Sequence, residues 1–257
     1  MIKSYLINLD KDSERLNFIT ANFKKLGIEF ERIAAIDGRT FSEQAFQEFL
    51  KARPRNNKSW MRGQMGCFLS HYAAWEKVSQ GNERFYAVFE DDIHISDDLK
   101  QILNDDSWIP DDIDIIRLET STNRVRLTSQ PLLTHAKRKI FGVKSTSWCA
   151  GGYLINRRTA QQLVNLPAQY HEPSDVILYN FDDSIIAKEL NILQFHPALC
   201  TQDKHLATGN LKFSSNIELS APKKASRLIL KLKQTNPISI IGGVYRSLRG
   251  YKRIGFH

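Results

Sequence analysis

The chain has 257 residues, of which 42% are hydrophobic and 25% are charged. This composition is ordinary for a globular protein, and the length suits one large α/β domain or two small ones. The N-terminus lacks the apolar core of a signal peptide, and no segment approaches the ~20 apolar residues of a membrane-spanning helix. We therefore expect a cytoplasmic protein. The cysteines are widely spaced, which argues against a disulfide framework or a zinc knuckle and predicts free thiols at Cys67, Cys149 and Cys200.

The net charge of +8 is concentrated at the C-terminal end of the chain. Nine Lys or Arg residues and no acid lie between Lys223 and His257, so residues 1–222 are close to neutral. A nucleic-acid-binding domain would spread a positive stripe over the folded body, so we expect no nucleic acid partner. The basic residues of the tail alternate with apolar ones. This pattern predicts either a segment on an anionic membrane surface or a basic helix packed on the body.

The first 38 residues predict a strand, helix, strand unit. Residues 4–9 form a short, mostly apolar run that is typical of a buried strand. Apolar residues then recur at helical spacing up to Leu26, and Gly27 ends the helix. Residues 29–33 alternate as a second strand. A βαβ unit of this length predicts a parallel sheet, and hence an α/β fold with helices flanking the sheet.

Periodicity and turn residues predict the remaining elements. Helices are expected over residues 42–50, 66–78, 97–103, 157–166 and 175–190, and strands over 85–89, 113–118, 151–156 and 192–195. Residues 120–147 show no clear periodicity and predict a long functional loop or hairpin beside the site. Basic residues within 51–62 and 124–144 suit phosphates or acidic sugars of a substrate, although solvated surface is an alternative.

Three consecutive acids, Glu90, Asp91 and Asp92, follow the strand predicted over residues 85–89. Carboxylates at this spacing repel one another, and their desolvation is costly unless a cation compensates. Mg²⁺ and Mn²⁺ prefer carboxylate and phosphate oxygens, so the cluster suits a metal–diphosphate complex. An exposed acidic turn that caps the next helix is the alternative. Alternation along the strand directs Glu90 and Asp92 to one side and Asp91 to the other.

The segments around this cluster resemble glycosyltransferase family 25, the lipopolysaccharide-biosynthesis transferases. The resemblance covers about residues 3–203 with order and spacing preserved. The matching segments are residues 5–10 with Arg15, 35–38, 63–71 with Trp75, 88–93, 152–155, 173–175 and 197–202. Residues 120–147 and the tail lie outside it.

The resemblance implies a GT-A-like catalytic domain over residues 1–205, followed by a basic extension over residues 206–257. The nucleotide-sugar half would span about residues 1–118 and the acceptor half about 119–205. The implied reaction transfers a hexose, glucose or galactose, from a UDP-sugar with inversion at the anomeric carbon. The implied cofactor is Mn²⁺, with Mg²⁺ as an alternative. The implied acceptor is the core of a lipopolysaccharide or lipooligosaccharide, which would place the enzyme at the inner face of the inner membrane.

The same resemblance implies roles for individual residues. Metal would be held by Glu90 and Asp92, with His196 as a late ligand or simply a structural histidine before proline. Asp175 would be the base that deprotonates the acceptor hydroxyl, or else a helix cap, with Asp182 and Asp183 in reserve. The donor would contact Asn8, Arg15, Asp37, Gly38, His71, Glu90, Asp91, Cys149, Gly152 and Gln202.

Several of these residues also have a purely structural interpretation. Gly38 is equally a turn glycine, His71 a hydrogen-bonded core histidine, and Gly152 a point of close backbone packing. Cys149 is hypothesised to help choose between glucose and galactose.

Two other functional classes are compatible with an α/β nucleotide site. A sugar-phosphate nucleotidyltransferase would usually carry a glycine-rich phosphate loop, and neither G-x-G-x-x-G nor G-x-x-x-x-G-K-[ST] is present. A non-catalytic glycan-binding module at a membrane surface would show no metal-dependent hydrolysis of UDP-sugars.

Overall fold

The computed structural model describes residues 1–55, 60–206 and 250–256. Within these ranges the α-helices span Ser13–Leu26 (α1), Glu43–Lys51 (α2), Arg62–Ser79 (α3), Leu99–Leu103 (α4), Arg157–Val164 (α5) and Ser174–Tyr179 (α6). The strands span Lys3–Asn8 (β1), Glu31–Ala34 (β2), Phe85–Glu90 (β3), Ile93–Ile95 (β4), Ile115–Arg117 (β5), Glu119–Thr120 (β6), Arg124–Arg126 (β7), Leu133–His135 (β8), Arg138–Gly142 (β9), Gly152–Asn156 (β10), Ile192–His196 (β11), Cys200–Gln202 (β12) and Tyr251–Arg253 (β13). Short 3₁₀ helices cover Gly38–Thr40, Ala168–Tyr170 and Asp203–His205.

The central sheet has eight strands in the order β2-β1-β3-β10-β5-β11-β9-β8. β1 pairs in parallel with both β2 and β3, and β5 pairs in parallel with β11. β10 runs antiparallel to both of its neighbours, and β9 does likewise. Only β10 and β9 therefore run opposite to the other six strands of this sheet. The predicted α/β fold, with a mostly parallel sheet flanked by helices, is confirmed, and β1-α1-β2 is the predicted βαβ unit.

Strand alternation divides the core between the two faces of the sheet. In β3, Tyr86 and Val88 pack on the face covered by α3 and α5, whereas Phe85, Ala87 and Phe89 pack on the face covered by α1 and α4. All five side chains are buried. Because side chains alternate along a strand, Glu90 continues the α3 side and Asp91 the α1 side.

A second, three-stranded sheet lies beside the acid cluster. β12 pairs antiparallel with β4, which begins one residue after Asp92, and in parallel with β6. Gln202 stands opposite Ile93 in this register, and the Asp203 amide donates to the Asp92 carbonyl at 2.8 Å. This pairing brings residues from late in the chain to the acids at the end of β3.

The predictions for two segments have different outcomes. For residues 120–147 the hairpin alternative is confirmed, because β8 and β9 form a hairpin that extends the main sheet at the edge remote from β2. The helix predicted over residues 175–190 ends at Tyr179. Asn180 is extended, and its side-chain oxygen accepts the amide protons of Asp182 and Asp183, which replaces the next helical turn.

The C-terminal end of the chain returns to the body. β13 pairs antiparallel with β7, and the hydroxyl of Thr120 donates to the carbonyl of Ile254 at 2.7 Å. The stretch 207–249, on which the membrane-surface interpretation of the tail depends, lies outside the described residues. Among the residues that are described, no helix is long and apolar enough to cross a membrane.

Candidate active site

The carboxyl ends of three neighbouring parallel strands define a cleft of about 720 Å³. Asn8 ends β1, Asp37 follows β2, and the three acids end β3, so parallel pairing alone brings them to one edge of the sheet. The cleft is also lined by Arg15, Gly38, Arg39, Cys67, His71, Gln202 and Lys204. Most of the predicted donor-binding residues therefore lie together.

A second cleft of about 660 Å³ adjoins the first. It is lined by residues of α3 and α6, by Asp175, and by Cys149 and Ala150 from the segment before β10. The two clefts share a wall made of Cys67, Glu90, Gln202 and Lys204. This arrangement offers two compartments that meet at one carboxylate, Glu90.

Glu90 is held at both of its oxygens. His71 Nε2 lies 3.1 Å from Oε1, and Gln202 Nε2 donates to Oε2 at 2.5 Å. Burial opposes ionisation, but the interaction with His71, the charge of Lys204 and the Gln202 hydrogen bond together lower the pKa of Glu90. Glu90 is therefore a fixed carboxylate that stays ionised at neutral pH.

A buried relay positions His71 behind Glu90. The indole of Trp75 donates to the Tyr153 hydroxyl oxygen at 2.9 Å, and that hydroxyl lies 2.9 Å from His71 Nδ1. Because the Tyr153 oxygen accepts from Trp75, its own proton is available to Nδ1, which leaves the Nε2 proton for Glu90. His71 is thus both a buried core histidine and a group that lines the cleft.

Asp91 faces α1 and serves the framework of the cleft. Its Oδ2 accepts from Asn8 at 2.7 Å, and its Oδ1 accepts from Arg15 at 3.0 Å. Asn8 is buried, and its amide oxygen accepts from Arg32 at 2.9 Å. The amide of Asn8 thus holds Asp91, and Asn8 also lines the first cleft, so its predicted contact with the nucleotide stays a prediction.

Asp92 is half-buried and Glu119 is buried, and each has one carboxylate oxygen that is buried without a hydrogen-bond partner. Within the described parts of the chain, Asp92 Oδ1, Glu119 Oε1 and Gln202 Oε1 are buried and have no hydrogen-bond partner. Burial and the charge of Glu90 raise the pKa of Asp92 to about 7, and the same two causes raise the pKa of Glu119 to about 8. Unsatisfied carboxylate and amide oxygens beside Glu90 are the donor set expected for a hard divalent cation.

Two glycines allow the strand end after β2 to lie against α3. A Cβ on Gly38 would stand 1.8 Å from the carbonyl oxygen of Arg62, and a Cβ on Gly66 would stand 2.4 Å from the Gly38 nitrogen. Gly38 is therefore required for a close backbone approach, not for a turn. Next to it, Asp37 pairs with Arg39 and Lys11, and these hydrogen bonds hold its pKa well below its usual range.

The two glycines at the start of β10 pack closely on their neighbours. A Cβ on Gly151 would lie 3.0 Å from Gln202 Nε2 and 3.1 Å from both carboxylate oxygens of Glu119. A Cβ on Gly152 would lie 2.4 Å from Cys200 Sγ. Gly152, predicted to admit a ligand to the backbone, is instead buried against Cys200, and it is Gly151 that leaves room for polar side chains of the site.

Asp175 lies in the first turn of α6 and orients the segment before β10. Its Oδ2 accepts the amide proton of Cys149 at 3.1 Å, and Cys149 has a left-handed backbone conformation with φ 72°. The Cys149 thiol lies 3.6 Å from His205 Nε2. Asp175, Cys149 and Gln64 line the second cleft together.

The reserve acids and the predicted late ligand lie elsewhere. Asp183 accepts from Asn180 at 2.6 Å, within the turn that ends α6. His196 ends β11 with its ring 6.1 Å from that of Phe141. Neither Asp182, Asp183 nor His196 lines either of the two clefts.

Two site residues were not singled out from the sequence. Lys204 lines both clefts. Burial opposes its charge, but electrostatic interactions with Cys149, Glu90, Asp92 and Glu119 outweigh that effect and raise its pKa. It lies two residues beyond the last matching segment. Glu119 directly follows the strand predicted to end at residue 118, so a search for acids at strand ends would have found it.

Comparison with known proteins identifies the family of the chain. The family model for glycosyltransferase family 25 (LPS biosynthesis protein) matches residues 1–178. A Haemophilus influenzae protein assigned as a glycosyltransferase is 30% identical over 218 residues, which cover 84% of this chain and 75% of the relative. The lacto-N-neotetraose biosynthesis glycosyltransferase LgtB of Neisseria meningitidis is 28% identical, with 80% of this chain and 76% of the relative covered. The lipooligosaccharide biosynthesis protein lic2B of H. influenzae is 24% identical, with 95% of each chain covered.

Among solved structures, the inositol-1-phosphate CTP transferase from T. maritima superposes with a TM-score of 0.42 and 10% identity, covering 81% of this chain and 92% of that one. A likeness this distant adds nothing to the assignment. The family match covers residues 1–178, which include β1 to β10, α1 to α5 and the ends of β1, β2 and β3 at the first cleft, but not Gln202 or Lys204. The chain therefore belongs to glycosyltransferase family 25, the family of lipopolysaccharide-biosynthesis proteins.

Proposed function

We propose that this protein is an inverting, metal-dependent hexosyltransferase that moves glucose or galactose from a UDP-sugar to a lipopolysaccharide or lipooligosaccharide core acceptor. The observation that carries the proposal is the wall shared by the two clefts. A donor in the first cleft and an acceptor in the second would meet at Glu90 and Lys204. Direct transfer between two bound substrates requires such a junction.

The first cleft suits the nucleotide. Its rim carries Asp37, whose pKa is held low by Arg39 and Lys11, so it offers charged acceptor oxygens to ribose hydroxyls or to the uracil imide. Arg15 lies inside the cleft and is fixed by Asp91. Its guanidinium supplies a positive charge at the end of the cleft where the diphosphate would lie.

The acids at the end of β3 fit a divalent cation. Asp92 Oδ1 is buried without a hydrogen-bond partner, and Glu90 lies on the same wall of the cleft. We assign Glu90 and Asp92 as the residues that would hold Mn²⁺, or Mg²⁺ as an alternative. When bound, such an ion supplies positive charge that stabilises the departing diphosphate. Glu119 and Gln202 lie behind this pair with further unsatisfied oxygens.

Lys204 lies where it can also stabilise the departing diphosphate. It lies at the junction of the two clefts, where the bond between the sugar and the diphosphate would be broken. Its raised pKa keeps the ammonium charged. A fixed positive charge directed at the leaving group stabilises the transition state more than the ground state, because the charge on the diphosphate grows as the bond breaks.

Asp175 is the proposed base. It lines the second cleft, and the hydrogen bond from the Cys149 amide to Oδ2 fixes its carboxylate. A carboxylate in this position can accept the proton of the acceptor hydroxyl as that oxygen attacks the anomeric carbon. In the proposed reaction that oxygen attacks the face of the anomeric carbon opposite the diphosphate, which would give inversion.

Two finer points extend the proposal. Cys149 lies beside Asp175 in the second cleft, so we propose that it affects the choice between glucose and galactose.

We also propose that the basic tail holds the enzyme at the inner face of the inner membrane, close to a glycolipid acceptor. Co-sedimentation with anionic liposomes, with and without residues 207–249 and across a salt series, measures that association.

The test is a panel of UDP-sugars assayed with Mn²⁺, with Mg²⁺ and with chelator, on truncated core oligosaccharides. We expect turnover with one UDP-hexose, loss of turnover with chelator, and a product whose anomeric configuration is opposite to that of the donor. Retention of configuration, or full activity in chelator, would contradict the proposal. Formation of a UDP-sugar from a sugar phosphate and UTP would instead indicate a nucleotidyltransferase.

A further inference from the structure

Cys67, His71 and Glu90 meet at the wall between the two clefts. Cys67 and His71 are four residues apart on α3, so both project from one face of the helix. Cys67 Sγ lies 3.8 Å from Glu90 Oε1, and His71 Nε2 lies 3.1 Å from the same oxygen. The three ligand atoms all lie within 4.8 Å of one another.

Two of the three separations between these ligand atoms are close to those of ligands on one zinc ion. Zinc is commonly bound by thiolate, imidazole and carboxylate, at about 2.3 Å for sulfur and about 2.0–2.2 Å for nitrogen and oxygen. In a tetrahedral site these bond lengths separate sulfur from oxygen by about 3.6 Å and nitrogen from oxygen by about 3.3 Å. The observed separations of 3.8 Å and 3.1 Å require only small side-chain movements.

We propose that Cys67, His71 and Glu90 form a binding site for a thiophilic divalent cation such as Zn²⁺. The site differs in chemistry from the hard-cation pair of Glu90 and Asp92, because it includes a sulfur and a nitrogen ligand. Both clefts reach it, since Cys67 and Glu90 line each of them. Water would occupy the fourth position on the cleft side.

The groups behind His71 are compatible with metal binding. The Nε2 atom must give up its proton to coordinate zinc, and Nδ1 then carries the proton and donates to the Tyr153 oxygen, 2.9 Å away. That oxygen has two lone pairs, so it can accept from both Trp75 and His71. The hydrogen bond from the Tyr153 hydroxyl to Nδ1 is lost, whereas three bonds form between the cation and its ligands. The Cys67 thiol releases its proton to solvent, so each cation bound releases one proton.

The expected consequence is inhibition, and this part rests on the proposed function. A cation held at this site takes Oε1 of Glu90 and competes with the cation that the donor requires. Zn²⁺ is therefore expected to inhibit transfer by the wild type in the presence of Mn²⁺. The Cys67→Ser variant is expected to resist this inhibition, with the rate of each protein measured relative to its own rate without Zn²⁺. Inhibition that is equal in both proteins would contradict the consequence.

Binding itself is tested without substrate, so its result does not depend on the transferase activity. The full chain is reduced, freed of reductant and titrated with Co²⁺, a spectroscopic substitute for zinc. We expect one equivalent to produce a thiolate-to-cobalt charge-transfer band, which Zn²⁺ abolishes by displacement. In Cys67→Ser the band should be absent and the affinity for Zn²⁺ reduced at least 100-fold. The matched control is Cys149→Ser, which removes the other half-buried cysteine and should keep the band.

A second measurement needs no variant. Saturating Zn²⁺ should slow alkylation of Cys67 at least 10-fold, as followed by peptide mass spectrometry, with less effect on Cys149. Absence of the band in the wild-type protein, its persistence in Cys67→Ser, or equal protection of both thiols would overturn the proposal.

Discussion

Asp92→Asn should stabilise the protein while it abolishes glycosyl transfer. The Asp92 side chain is 16% exposed and lies beside Glu90 and Asp91, and its buried Oδ1 has no hydrogen-bond partner. Arg15 is its nearest cation, with NH1 3.9 Å from Oδ2. Burial and the neighbouring acids outweigh that attraction and raise its pKa from 3.8 to about 7. An uncharged amide of the same shape would avoid this unfavourable ionisation.

The direction in which stability changes with pH follows from proton linkage. A carboxyl whose pKa is higher in the folded state binds more protons when folded between pH 3.8 and about 7, so stability falls as pH rises through that window. The raised pKa, about three units above the unfolded value, corresponds to an upper bound of about 4 kcal/mol at pH 8.5. Water entering the cleft relaxes part of that cost, so we expect a gain on the order of 2 kcal/mol. This corresponds to an increase in Tm of roughly 4–8 °C for a chain of this size.

The assay is urea unfolding at pH 8.5 and pH 5, with chelator present to remove divalent cations. Asp92→Asn should exceed the wild type in free energy of unfolding at pH 8.5, and the difference should shrink at pH 5, where the wild-type carboxyl is largely protonated. The control is Asp97→Asn, an acid whose side chain is 82% exposed and which should change neither value by more than ~0.5 kcal/mol. Adding Mn²⁺ should stabilise the wild type but not Asp92→Asn. A variant that is no more stable than the wild type at pH 8.5 would refute the reasoning.

Three further predictions concern other parts of the site. Lys204→Met should lower kcat/KM for the UDP-sugar at least 10-fold, as expected for the loss of about 1.5–3 kcal/mol from a charged hydrogen bond. Lys204→Arg should recover part of the lost kcat/KM. Equal steady-state kinetics in the wild type and both variants would exclude the leaving-group role. Asp175→Asn should reduce kcat by about 10²–10⁴ with the KM for donor preserved, and near-normal turnover would remove Asp175 as the base. Gly66→Ala should lower the free energy of unfolding by about 3 kcal/mol, because the added methyl meets backbone atoms at 2.4 Å. A loss under ~0.5 kcal/mol would show that α3 can move away from the Gly38 backbone without cost.

Local patterns in the sequence accounted for the parallel half of the sheet and the acids at its edge. The run of residues 4–9, the helical spacing after it and the strand over 29–33 predict β1, α1 and β2 because each depends on periodicity and caps within a few residues. Alternation along β3 likewise predicts that Glu90 and Asp91 face opposite sides, and the structure shows them bonded to His71 on α3 and Arg15 on α1.

Turn chemistry overrode helical periodicity after Tyr179. The apolar spacing over residues 175–190 is compatible with one helix, but the Asn180 side chain binds the next backbone amides and stops it. Residues 120–147 lack periodicity because their strands are short, and β7 and β9 pair with strands that are distant in sequence. A pattern within one segment carries no information about such partners.

The rest of the site is decided by contacts between distant parts of the chain. Gln202 and Lys204 reach Glu90 because β12 pairs with β4 and β6, which lie about a hundred residues earlier. The same pairing places Gly151 against Glu119 and Gln202. The sequence alone determined which strand end carries the acids, since that depends on neighbours along the chain. Only the tertiary structure decided which amide, ammonium and thiol surround those acids, because long-range strand pairing and close backbone packing are properties of the folded chain as a whole.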